Sequence, residues 1–266
     1  MSQLSFDDLF SAPIGEQKRA VSLSPVTCST DVISVKTVTV KSRKQVIHLD
    51  DHRRAFVKLF RETARYHHRY EVFRDFVTVA AISLENAVLK SDELEQEYFQ
   101  VIARYQKDDV IRMSQLLAHI TLGLDERMCD FLGSIFMELE IGSKDIGQFF
   151  TPFHLSELMA RLVMGDRLKE LAAGASYITL DEPACGAGGM VIGAAAAMLD
   201  AGYNPQRQLL VQCTDLDPVA ARMCYVQLSL LGMQACVRIG NTITQNITRE
   251  MFTPFWYLNR GHLRSF

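Results

Sequence analysis

The chain has 266 residues, 48% hydrophobic and 22% charged, with a formal net charge of −3. That supports one or two globular domains with a sizeable core and lacks the global basic signature of a nucleic-acid binder, so DNA contact would need a local patch. No apolar run reaches the roughly 18 residues of a transmembrane span, and the N-terminus lacks a signal peptide, so no membrane partner and a cytoplasmic location are expected. The six cysteines, at 28, 129, 185, 213, 224 and 236, show no metal-ligand spacing and read as reduced thiols, with no metal expected.

Residues 1–48 read as an N-terminal arm carrying one strand. Breaks at Ser11-Ala12-Pro13 and Leu23-Ser24-Pro25 precede Val32 to Val40, where apolar and polar residues alternate and β-branched side chains dominate. Lys41-Ser42-Arg43-Lys44 is a short basic cluster, read as a solvated turn.

Residues 49–145 read as a helical domain. Asp50-Asp51 is placed to cap a helix with Ala55, Phe56, Leu59, Phe60 and Ala64 on one side. Arg53, Arg54, Lys58, Arg61, Arg65, Arg69 and Arg74 make this the most basic stretch, either a solvated face or a phosphate-contacting one. Further helices are expected over Phe73–Val88, Asp92–Tyr105 and Asp108–Leu122. Asp125 is expected to cap another from Glu126 to Leu139, with Phe131, Leu132, Ile135 and Phe136 inward.

Residues 146–266 alternate strand and helix with short turns, the signature of parallel βαβ units. Pro152 is expected to start a helix over about His154–Leu171. Strands at Tyr177–Leu180, Leu209–Cys213 and Ala235–Ile239 end on a glycine-rich turn, on Asp215 and on Gly240-Asn241. Ligands in such sheets sit outside the carboxyl ends of the strands. Gly186, Gly188 and Gly189 allow a tight turn and close backbone approach, and the helix behind them points its positive end the same way. Asp215 suits a ribose diol, and Asn241 offers a donor and an acceptor to an adenine edge. Glu182 beside the turn disfavours a pyrophosphate and favours an ammonium or sulfonium. Gly-Ala-Gly-Gly is also not the Gly-x-Gly-x-x-Gly of dinucleotide sites. S-adenosylmethionine therefore fits better than NAD or ATP. Asp217 is expected to cap the helix starting at Pro218.

Glu182-Pro183-Ala184-Cys185-Gly186-Ala187-Gly188-Gly189-Met190 resembles the first motif of adenine-N6 DNA methyltransferases, especially the modification subunits of type I restriction systems. Gly147-Gln148-Phe149-Phe150-Thr151-Pro152 resembles the preceding motif, which helps to cover the cofactor, and Thr214-Asp215-Leu216-Asp217-Pro218 and Gly240-Asn241-Thr242 match the next two in order. The resemblance covers roughly residues 126–245. It implies an α/β fold with a Rossmann-like S-adenosylmethionine-dependent methyltransferase core, C-terminally short and preceded by a helical region. It implies cofactor contacts at Gln148, Phe150, Thr151, Pro152, Glu182, Ala184, Gly186, Gly188, Gly189, Asp215, Leu216 and Asn241. It also implies DNA and other restriction-modification subunits as partners.

The family's catalytic Asn/Asp-Pro-Pro-Tyr/Phe occurs nowhere in the chain; Met251-Phe252-Thr253-Pro254-Phe255-Trp256-Tyr257 stands where it is due. The catalytic residues are therefore not carried over. Phe255, Trp256 and Tyr257 are left with three roles: a fourth strand, a plug on the sheet edge or a partner surface. A degenerate methyltransferase acting as a DNA- or protein-binding regulator of a restriction-modification system is the alternative reading.

Overall fold

The structure, a computed structural model, describes residues 49–140 and 150–259. The strand expected at Val32–Val40, the basic cluster at 41–44 and Gln148 lie outside the described residues. Those described belong to one unit, residues 45–266.

Helix α1 (Leu49–Glu62) holds Asp50 and Asp51 inside its first turn, where they face the positive helix end, and buries Phe56, Val57 and Phe60. Ala64 lies past its end in a left-handed conformation, φ 43°. Helix α2 (Arg69–Leu89) buries residues on nearly every side, including Phe73, Phe76, Val77 and Ala80, and so runs through the middle of the helical layer. Helix α3 (Asp92–Ile102) is capped by Ser91, whose hydroxyl accepts the Leu94 N–H at 3.3 Å.

Helix α4 (Lys107–Glu126) runs through the position where Asp125 was expected to cap the next helix. Leu124, buried near its end, favours continuing the turn. The chain leaves the helix at Arg127, and Asp130 is the actual cap of α5 (Phe131–Glu138), its Oδ1 accepting the Gly133 N–H at 2.8 Å. Phe131, Leu132, Ile135 and Phe136 do face inward. Edge-to-face pairs Phe56–Phe76, Phe56–Phe131 and Phe73–Phe136, with ring centroids 5.7, 5.9 and 5.4 Å apart, fill this core.

Much of the basic stretch is engaged in the fold. The Arg69 guanidinium donates to the carbonyls of Phe60, Thr63, Ala64 and His67, closing the C-terminal end of α1. Arg53 pairs with Glu138, Arg54 with Asp51, and Arg74 with the buried Asp75.

Helix α6 (Phe153–Ala172) follows Pro152 and leads to β1 (Ile178–Glu182). Then come α7 (Gly189–Asp200), a short α8 (Pro205–Gln208), β2 (Leu209–Asp215), α9 (Pro218–Leu230) and β3 (Gln234–Asn241). The strands pair in the order β1-β2-β3 and run parallel, as the βαβ alternation requires. The fourth strand, β4 (Asn246–Phe252), forms upstream of the aromatic run and pairs antiparallel with β3. Ile247, Arg249 and Met251 alternate there with polar neighbours, and Gln245 at φ 58° closes the turn. Residues Pro254–Leu258 are a short helix, α10, so Phe255, Trp256 and Tyr257 do not make a strand.

The two sheet faces differ. Register puts Ile178, Val211, Cys213, Val237 and Met251 on one face, all buried, with α9 packed against β2 and β3 there and against α2 beyond. Thr179, Asp181, Gln212, Arg238 and Glu250 share the other face, where Gln212 donates to Asp181 at 3.0 Å and Arg238 pairs with Glu250 at 2.8 Å. Arg249 crosses from β4 into the helical layer, donating to Glu97 at 2.9 Å and to Glu85 at 3.1 Å. No helix among the described residues is long and apolar enough to cross a membrane.

Candidate cofactor site

The cavity at the carboxyl ends of β1 and β2 has a volume of about 350 Å³. Of the residues expected there, Phe150, Thr151, Ala184, Gly186, Gly189 and Asp215 line it. Gly188, Pro152, Glu182, Leu216 and Asn241 do not.

Asp215 organises the site. Its Oδ2 accepts the Gly186 N–H at 2.7 Å and its Oδ1 the Asp217 N–H at 2.9 Å. One carboxylate thus fixes the glycine turn to the end of the neighbouring strand, while its remaining lone pairs stay available for hydroxyl donors. Burial raises its carboxyl above the ordinary range, and these backbone N–H groups pull it back.

The glycines are needed for packing as much as for ligand approach. Gly186 and Gly188 take positive φ of 54° and 93°. A Cβ on Gly186 would stand 2.9 Å from the Phe150 ring, and one on Gly188 would stand 3.0 Å from Cys224 Sγ. The protein's own side chains fill the space that a ligand was expected to claim at Gly188. The Phe150 ring closes over the turn, so Phe150 and Thr151 share the cavity with Gly186.

The small residues of α7 have a similar cause. A Cβ on Gly193 would meet the Ser156 carbonyl at 3.0 Å, so α6 crosses α7 nearly backbone to backbone. That crossing delivers the N-terminal turn of α6 to the cavity.

The other expected residues have local partners. Glu182 Oε1 accepts the Ala184 N–H at 3.3 Å, beside the turn. Asn241 Oδ1 accepts the N–H groups of Ile243 and Thr244 at 2.9 and 3.0 Å, shaping the turn into β4. Thr242 donates to the Pro183 carbonyl at 2.7 Å and ties the end of β3 to the glycine turn. Asp217 caps α9 as expected, accepting the Val219 N–H at 2.9 Å.

Five lining residues, Asp130, Ser156, Cys185, Ala187 and Met190, stand outside the expected cofactor contacts. Asp130 carried a readable cap signal, an acid three residues before Gly133. Ser156 carried none.

The cysteines, scattered in sequence, are not scattered in space. The Sγ atoms of Cys185, Cys213 and Cys224 lie within 4.8 Å of one another beneath the glycine turn, all buried. They come from the turn, β2 and α9, so linear spacing could not reveal them. Hydrogen bonds from the Cys213 and Cys224 thiols hold the Cys185 thiol down at about 6, while those two thiols are pushed up.

The tail is bound into the fold. Thr253 is fully buried, its Oγ1 donating to the Met233 carbonyl at 2.6 Å and accepting the Ala235 N–H at 3.0 Å. Trp256 packs beside Phe252, ring centroids 5.2 Å apart.

Comparison with curated proteins gives no match. Among solved structures, one match is described as a class I S-adenosylmethionine-dependent methyltransferase from Listeria monocytogenes. It is 12% identical with a TM-score of 0.41, and the alignment covers 75% of this chain and 56% of that one. The chain thus spans little more than half the length of that protein. The family model for N-6 DNA methylases matches residues 134–255, from within α5 to within α10. Over those residues, which carry the glycine turn, Asp215 and Thr151, the chain is similar to the N-6 DNA methylases and has a methyltransferase-like core.

Proposed function

We propose that this chain binds S-adenosylmethionine at the carboxyl ends of β1 and β2, as the core of an adenine-N6 DNA methyltransferase of restriction-modification type. The observation that carries the reading is the Asp215 carboxylate, bonded to Gly186 N–H at 2.7 Å inside a cavity that Phe150 and Thr151 also line. Asp215 would take the ribose diol, and the N–H groups at the start of α7 together with the Thr151 hydroxyl would take the methionine carboxylate. Phe150 would exclude water above the turn. Glu182, beside the turn, would add negative charge that favours a sulfonium. The bound cofactor would supply an activated methyl group for an adenine extruded from DNA.

Transfer by the chain alone is a separate matter. An adenine amino group is a poor nucleophile unless positioned, and misplacement by about 1 Å can cost on the order of a hundredfold in rate. Thr253 cannot serve, because its hydroxyl is held between Met233 and Ala235. This favours a second reading, in which the chain acts in a restriction-modification complex, with DNA or other subunits as partners, without transferring methyl groups itself. Calorimetric titration with S-adenosylmethionine tests the first claim, with saturable one-to-one binding expected. A radiolabel transfer assay on unmethylated DNA tests the second. Transfer at the rate of ordinary modification enzymes, abolished by Trp256→Ala, would make the tail a working base pocket and remove the second reading. The cytoplasm is the proposed location.

A further inference from the structure

The cavity has a second acidic lining residue besides Asp215. Asp130 is 4% exposed and lines the cavity from the start of α5. Among the described residues the Gly133 N–H and the Gln227 amide, at 2.8 and 2.9 Å, both bond its Oδ1. Its Oδ2 stands 3.3 Å from where a Cβ on Gly189 would lie, and Ser156 Oγ stands 3.5 Å from the same point. Ser156 is fully buried, and its hydroxyl has no hydrogen-bond partner among the described residues. A buried polar group left unpaired costs about 1–3 kcal/mol. Burial raises the Asp130 carboxyl, and the Gln227 amide, the Gly133 N–H and the charge of Arg53 oppose that shift. The Asp130 carboxyl and the Ser156 hydroxyl converge on one point at the cavity wall, beside the first residue of α7.

We propose that Asp130 and Ser156 form a seat for a primary ammonium, the one on the amino-acid end of the bound cofactor. This rests on the S-adenosylmethionine reading above and adds a binding role for two residues outside the glycine-turn, acid and covering motifs. A carboxylate and a hydroxyl offer acceptors from two directions, and an ammonium brings three donors. The neighbouring N-terminus of α7 and the Thr151 hydroxyl suit the carboxylate of the same amino acid. The zwitterion would then lie across the start of α7, its cation toward Asp130 and Ser156 and its anion toward the helix N–H groups and the Thr151 hydroxyl. An anion on the Asp130 side would meet a like charge in a dry site.

The test compares two ligands by calorimetry on the full chain. One is S-adenosylmethionine. The other is 5′-methylthioadenosine, which keeps the adenosine and the sulfur but lacks the amino acid. Asp130→Asn preserves the cap and the acceptor for Gln227 while removing the charge. It is expected to weaken S-adenosylmethionine by about tenfold or more, as for loss of a charge-assisted bond, and to leave methylthioadenosine unchanged. Ser156→Ala, which removes a hydroxyl that has no partner among the described residues, should fold normally and show a smaller loss of the same selective kind. Asp215→Ala should weaken both ligands. If Asp130→Asn weakens both ligands equally, or neither, the ammonium seat is wrong. If unaltered protein binds neither ligand, the cofactor reading itself falls.

Discussion

The cavity at the glycine turn and the tail after β3 are both made of small loops, polar residues and aromatic rings, but they differ in how their polar groups are satisfied. In the cavity, Asp215 has lone pairs beyond those that accept the Gly186 and Asp217 N–H groups, and the Ser156 hydroxyl lacks a partner among the described residues. In the tail, Thr253 is bonded as donor and acceptor, and Trp256 leans on Phe252. Buried polar groups are normally paired within the fold. A region that leaves them open is organised around something that arrives later, and one that closes them all is organised around itself. The cavity fits the first description and Thr253 the second, although Asn259 Nδ2 at the end of the tail is buried without a hydrogen-bond partner among the described residues; the held hydroxyl of Thr253 is why binding and transfer are separated in the proposed function.

The largest expected effect tests whether the cavity wall also holds the fold. Gln227 is fully buried; its amide donates to Asp130 and to the Ala187 carbonyl, and its oxygen accepts the Leu132 N–H. Gln227→Leu should lower stability by about 3–5 kcal/mol, since it strips a buried carboxylate of a partner and orphans two backbone groups. Urea denaturation measures it. A loss under 1 kcal/mol would mean that the α5–α9 contact does not depend on this network.

Asp215→Ala comes next. It leaves ribose hydroxyls unpaired and frees the Gly186 N–H, and should cost on the order of 1–3 kcal/mol of cofactor affinity. Unchanged affinity would sink the assignment of Asp215.

Thr253→Val sharpens the contrast from the other side. It should lower stability by about 1–2 kcal/mol through two lost buried hydrogen bonds and leave cofactor affinity alone. A drop in affinity without loss of stability would turn the tail into part of the site.

The smallest expected effect lies outside both regions. Leu155, Leu158, Met159, Leu162 and Val163 stand exposed along α6, Leu162 at 75%. Leu162→Ser should change stability by no more than about 0.5 kcal/mol, checked in the same denaturation series.

The sequence by itself determined the parallel alternation of strand and helix, the glycine turn, Asp215 at the end of β2 and the Asp217 cap. Each is encoded by local rules: hydrophobic period, turn chemistry and cap preference within a few residues. Helix boundaries were less legible. Asp125 looks like a cap as much as Asp130 does, and burial of Leu124 decided between them. The tertiary structure alone decided the meeting of Asp130 with Ser156 and of Cys185 with Cys213 and Cys224. Those residues lie on different elements, far apart in the chain. They become neighbours because α6 crosses α7 at a Gly193 contact and because α9 lies against β2. Helix–helix approach distance is set by how all the side chains of a core pack together, and no local pattern records that.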